Sequence, residues 1–83
     1  MDLMQKLGFD PHDRVAIVHV DDIGMSHPAN VGAVRALDGA ATCASIMMPC
    51  PGFAEIVEIA RQRQELDLGV HLTVNSEFPG FRW

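Results

Sequence analysis

Three short apolar runs, each closed by polar or turn-forming residues, set the rhythm of the chain. The first is Val15, Ala16, Ile17 and Val18, resumed at Val20 after His19. A nearly continuous run of this kind suits a strand buried on both faces, as in a parallel sheet covered by helices. It predicts a first strand at 14–20 that ends in two adjacent acids, Asp21 and Asp22. Residues 28–39 then carry a helical period, with Pro28 at the start and Gly39 at the stop. Their expected apolar stripe is Val31, Val34 and Leu37 with Ala33 beside it, and Ser26 is the expected N-cap. A second strand is predicted at 42–48, closed by Pro49, Pro51 and Gly52. Phe53, Ile56, Val57 and Ala60 recur at i, i+3, i+4 and i+7, which predicts a helix over 53–63. Glu55, Glu58, Arg61 and Gln62 fall on its outer side, with Glu58 able to pair with Arg61. The third strand is predicted at 67–73. Leu3, Met4 and Leu7 suggest a short leading helix at 2–8, stopped by Gly8 and the Asp10-Pro11 pair. The order β-α-β-α-β calls for an α/β fold with a parallel sheet and right-handed crossovers, taken as a single unit over 1–83.

Composition narrows the function classes. Of the 83 residues, 48% are hydrophobic and 20% charged, a globular balance. The net charge is −5 with only six Lys and Arg, which argues against nucleic acid, because phosphate binding needs a basic face. No apolar run approaches the ~20 residues of a membrane-spanning helix. The first residues lack a basic stretch followed by a long apolar one, so no secretory signal is expected. Cys43 and Cys50 suggest no disulfide framework, and a cytoplasmic location is the default expectation. Cys43 reads as core filler and Cys50 as a loop residue.

The candidate chemistry gathers where strands end, since in α/β folds the carboxyl ends of strands carry the ligands. Two adjacent carboxylates repel unless a cation neutralises them. A metal ion would take one as ligand and leave the other as base. The plainer role is capping of the following turn, which Asp often fills. His71 closes the third strand, followed by the polar Asn75, Ser76 and Glu77. With strands in the order 1-2-3, the first and third are about 10 Å apart, close enough for Asp and His side chains to meet on one ion. Two such ligands make a partial site, because catalytic zinc uses three protein ligands plus water. His19 reads as a hydrogen-bonded core histidine or as a supporting partner of the acids. Asn30 reads as a helix-start residue or as part of the site.

Three ordered motifs carry a resemblance. They are His19-Val20-Asp21-Asp22-Ile23-Gly24-Met25-Ser26 with Asn30, then Thr42-Cys43-Ala44-Ser45-Ile46-Met47, then Leu68-Gly69-Val70-His71-Leu72-Thr73 with Glu77. Together they resemble the N-terminal part of the YdjC-like carbohydrate deacetylases, over about residues 14–83. The resemblance implies the first part of a distorted (β/α) barrel of the polysaccharide-deacetylase-like type. It also implies a hydrolase that removes N-acetyl groups from a carbohydrate such as a chito-oligosaccharide, using a divalent metal, magnesium or zinc. By the same resemblance Asp22 and His71 match metal ligands and Asp21 matches the general base. Ser26, Asn30, Thr73 and Glu77 would be substrate-side or supporting residues. The family carries a further metal-binding histidine downstream, which no remaining His here is placed to replace. A (β/α) barrel needs roughly 200 residues or more. The expectation is therefore the first third of such an enzyme, with an incomplete site and little activity alone.

Two other readings stand beside this one. Val20-Asp21-Asp22 and Met48-Pro49 also resemble phosphoacceptor receiver domains, but the position of the phosphorylated Asp holds Ser45. A non-catalytic assembly module is the third. A three-stranded parallel sheet has two bare edges, and an apolar face left uncovered would mark an interface. A homo-oligomer is expected on that ground, with the aromatic tail Phe78, Phe81 and Trp83 in the contact.

Overall fold

Parallel strands exist only where two chains run side by side, and this shortens every strand expected from hydropathy. The computed structural model describes residues 1–76, 78–80 and 82. In it α1 spans Leu3–Lys6, β1 His19–Ile23, α2 His27–Leu37, β2 Cys43–Ile46, α3 Phe53–Gln62 and β3 Leu68–Val70. The three strands form one parallel sheet in the order β1-β2-β3, as the β-α-β-α-β pattern requires. No helix among the described residues is long and apolar enough to cross a membrane.

The first strand lies downstream of its predicted place. Val15, Ala16, Ile17 and Val18 are in no strand, and Ile17 is 79% exposed. The reason is the partner: β2 is four residues long, and its upstream limit is the bond from the Thr42 amide to the Val18 carbonyl, 2.9 Å. Upstream of that bond the apolar run has nothing to pair with. The third run is cut in the same way, leaving Leu72 85% exposed beyond β3. The expected burial on both faces is also overturned. The helices cover one face, where Ile23, Ala33, Ala44 and Ile56 form the core with Val20, Ile46 and Leu68 packed against it. The uncovered face carries His19 and Asp21 from β1, Cys43 and Ser45 from β2, and Gly69 from β3, by strand alternation and register. It is polar, and exposed apolar side chains such as Ile17, Val18, Leu72 and Val74 lie in the segments flanking β1 and β3. Those flanks and the exposed N-terminal residues extend the molecule. Its radius of gyration is 15.6 Å, against about 12 Å for a compact chain of this length.

The helices hold their predicted places with one rotation. The buried stripe of α2 is Asn30 and Ala33 with Val34 and Leu37 behind them, while Val31 is 37% exposed. An asparagine thus occupies a position where hydropathy expects an aliphatic residue. Its amide ties three segments together. The Gly24 amide donates to Asn30 Oδ1 at 2.7 Å, and Asn30 Nδ2 donates to the Gly52 carbonyl at 2.9 Å and to Glu55 Oε2 at 2.7 Å. Buried polar groups are tolerated when every donor and acceptor is used, and here they are. Gly24 has φ +92°, and the backbone of Gly52 passes so close that its amide donates to the Gly24 carbonyl at 2.8 Å. The loop after β1, the start of α2 and the start of α3 are therefore one hydrogen-bonded junction.

Glu55 belongs to this junction, not to the solvated side of α3 where the helical period places it. Its second oxygen lies 2.6 Å from His27 Nδ1. The Asn30 amide first and His27 second hold its carboxyl below the ordinary 4.5. A carboxylate whose folded pKa is depressed stabilises the fold above its unfolded pKa, and that support is lost as pH falls through the folded value. Urea midpoints at pH 7 and at about pH 3.5 are expected to fall further for the wild-type chain than for Glu55→Gln. Equal falls would remove Glu55 from the acid response. At the other helix ends, Arg63 bridges Asp38 at 2.7 Å and Glu65 at 2.8 Å. Glu58 pairs with Arg61 at 2.8 Å, as its spacing predicts.

Candidate active site

A bulge in β1 brings the two acids to one side. Val20 lies opposite Ala44 and Ile23 opposite Ile46, so β1 has one residue more than β2 between the two pairs. Asp22 takes the left-handed conformation, with φ +60°. Asp is among the few non-glycine residues that tolerate this region, because its short side chain can bond locally. In a regular strand Asp21 and Asp22 would point to opposite faces. With the bulge both reach the open polar face, and they sit inside the strand rather than beyond its end.

Each acid there meets a histidine. Asp22 Oδ1 lies 3.2 Å from His71 Nε2, across the whole width of the sheet from β1 to the residue just after β3. Asp21 Oδ1 lies 3.4 Å from His19 Nε2. The second histidine nitrogen is engaged in both cases. His71 Nδ1 donates to the Leu72 carbonyl at 3.1 Å. That bond places the ring proton on Nδ1 and leaves the Nε2 lone pair facing the Asp22 carboxylate. Two acceptor atoms so close need a cation between them, either a proton or a metal ion.

His19 corrects the expectation of a core histidine. Its ring is on the open face and half-exposed, with Nε2 2.7 Å from Ser45 Oγ and Nδ1 3.1 Å from Cys43 Sγ. Cys43 accordingly is a partner of the histidine and not core filler, while Cys50 is the buried cysteine. Neither is in a disulfide. Sequence reasoning passed over Ser45 and Cys43, although the signal was present. His19 and Asp21 alternate with Val20, as Cys43 and Ser45 alternate with Ala44, and two such strands side by side build a polar stripe.

The remaining candidates divide. Ser26 caps α2, accepting from the Ala29 amide at 3.3 Å. Asn30 sits beneath the loop that follows the acids and touches none of them directly in the bonds it makes. Thr73 Oγ1 donates to the His71 carbonyl at 2.9 Å and so braces the segment that carries the histidine. Glu77, Phe81 and Trp83 lie outside the described residues. Among the described residues no cluster of three His, Cys, Asp or Glu side chains could hold a metal. The donor set of Asp22 and His71 nonetheless suits a divalent ion. Ligand bonds of about 2.0–2.2 Å place neighbouring donors roughly 3 Å apart, as these two are.

Known proteins match the segment that carries these residues. Residues 15–81 match the family described as YdjC-like protein. A carbohydrate deacetylase of Thermus thermophilus is 40% identical over 82 residues, which are 99% of this chain and 27% of that protein. A carbohydrate deacetylase of Brevibacillus brevis is 36% identical over 64 residues, 76% of this chain and 26% of that protein. One of Vibrio cholerae is 34% identical over 64 residues, 76% of this chain and 25% of that protein. The chain thus spans about a quarter of the length of the curated relatives it matches.

Proposed function

The chain belongs to the YdjC-like protein family, and on that premise we propose that it forms one corner of a metal-dependent centre that removes N-acetyl groups from a carbohydrate. The observation that carries this reading is the approach of Asp22 Oδ1 to His71 Nε2, 3.2 Å, with the other ring nitrogen committed to a backbone carbonyl. A histidine held through its second nitrogen is the usual arrangement of a metal ligand. Asp22 and His71 would hold a divalent ion, magnesium or zinc, on the open face. When bound, such an ion supplies polarisation of the amide carbonyl. Asp21, 70% exposed beside that pair, is the group free to accept the proton of the attacking water. Thr73 keeps the His71 backbone in place. The sheet and its two helices fit the first part of a (β/α) barrel, whose chemistry sits at this end of the strands.

Calorimetric titration of the chain with zinc and with magnesium tests the ligand pair. His71→Ala is expected to lose at least about 100-fold in affinity, since changes that only touch a ligand's partner already cost 10–100-fold. His12→Ala, remote in sequence and exposed, is expected to bind as the wild type does. Unchanged binding by His71→Ala would overturn the reading. Because the described residues offer only two ligands, the 83-residue chain alone is expected to release acetate from an N-acetylated chito-oligosaccharide far below enzyme-like rates. Enzyme-like turnover by the pure chain would contradict the two-ligand account.

A further inference from the structure

We propose that His19 is a positioning residue for Asp21, with β2 acting as the clamp that aims its ring. The proposal rests on the reading of Asp21 as the base and adds what holds that base in place. His19 stands directly opposite Cys43 in the sheet register, and Ser45 is the next residue of β2 on the same face. The two side chains grip the ring at both nitrogens, Cys43 Sγ at 3.1 Å from Nδ1 and Ser45 Oγ at 2.7 Å from Nε2. Asp21 is the next residue of β1 on that face, with Oδ1 3.4 Å from Nε2.

The chemistry of these neighbours selects the tautomer. A neutral imidazole has one N–H and one lone pair. Nδ1 faces a thiol, which can donate or, weakly, accept. Nε2 faces a hydroxyl, which can do either, and a carboxylate, which only accepts. The proton therefore belongs on Nε2, and the Cys43 S–H donates to Nδ1. From Nε2 the N–H makes its short bond to Ser45 Oγ, and Asp21 Oδ1 lies 3.4 Å from the same nitrogen, within reach of its electrostatic pull. Asp21 is the more exposed of the two acids and has no other side-chain partner among the described residues. The N–H edge of the ring attracts the nearer carboxylate oxygen, Oδ1, and so narrows the rotamers open to Asp21. An exposed carboxylate with no such partner would sample several rotamers, and only a fraction of them would serve.

Long-range proton–nitrogen spectra of the intact chain, labelled with nitrogen-15 histidine and recorded at mildly alkaline pH, test this. His19 is expected to show the Nε2–H tautomer. Asp21→Asn is expected to shift its Nε2 resonance, while the His12 and His27 resonances stay in place. Ser45→Ala is expected to release the ring into a mixture of tautomers, and this second variant keeps the test decisive should Asp21→Asn disturb the fold. An Nδ1–H tautomer, or a His19 signal that ignores both variants, would overturn the proposal. Zinc titration of the same sample reports separately on Asp22 and His71. Loss of the metal reading with an intact His19 response, and the reverse, are therefore distinct results.

Discussion

Gly52→Ala is expected to abolish cooperative folding, the largest effect of any single methyl group in this chain. A Cβ at Gly52 would stand 2.8 Å from the Gly24 carbonyl oxygen and 3.0 Å from Asn30 Nδ2. Neither can step aside cheaply. The Gly24 oxygen is backbone, and it already accepts the Gly52 amide at 2.8 Å. The Asn30 amide is buried and bonded to Gly24, Gly52 and Glu55 at once. Relief of the clash requires α3 to move off the junction, which breaks those bonds together and leaves buried donors and acceptors unpaired. Overpacking alone costs typically 1–3 kcal/mol, and each buried polar group left without a partner about 1–3 more. A chain of this size has a net stability of only several kcal/mol. The measurement is urea denaturation followed by circular dichroism. Gly32→Ala is the control, because nothing lies within 4 Å of a Cβ there and the site is inside α2. It is expected to be neutral or to stabilise by about 0.5–1 kcal/mol through helix propensity. Similar midpoints for the two variants would mean that the junction does not hold the fold.

That junction shows where sequence reasoning reaches and where it stops. The helices were legible because their signals are local: Ser26 before Pro28, and Phe53 followed by Ile56. The parallel sheet was legible because two helices alternate with three apolar runs. The extent of β1 was not, since hydropathy reports the preference of Val15 to Val18 while pairing depends on the length of a partner far along the chain. The bulge was hidden for the same reason: one extra residue between two pairs is a property of two strands, not of one. Asn30 shows a further limit. Its position on the buried stripe of α2 is that of a core residue, and only the approach of Gly24 and Gly52, remote from each other in sequence, explains why an amide is wanted there. The acids and His71 were legible as candidates through their motifs, and an approach of Asp to His71 across the sheet was expected from the strand order, but the place of Ser45 and Cys43 around His19 was not. It follows from register, which sets His19 beside Ser45 and carries His71 to the same face.

The two acids offer the sharpest division of roles in the molecule, and substitution to asparagine is the way to separate them. Asp22 sits at φ +60°, a region that asparagine tolerates as well as aspartate, so Asp22→Asn keeps the bulge and removes only the charge. Asp22→Ala would add backbone strain of about 1 kcal/mol and confuse the two effects. In the proposed centre Asp22→Asn removes one of two ligands and is expected to weaken zinc binding by at least about 100-fold, beyond the 10–100-fold of a lost supporting contact. Asp21→Asn leaves Asp22 and His71 intact, 3.2 Å apart, and is expected to bind zinc within a few-fold of the wild type. Its loss should fall on the chemical step instead, because an amide cannot accept the proton that a carboxylate accepts. Calorimetry on both variants, with circular dichroism to confirm that each is folded, gives the comparison. Equal loss of zinc by both would show the acids acting as a joint ligand and end the assignment of Asp21 as base. Zinc affinity untouched by either would place the metal elsewhere, and the short contact between Asp22 and His71 would then be an ion pair that closes the open face of the sheet.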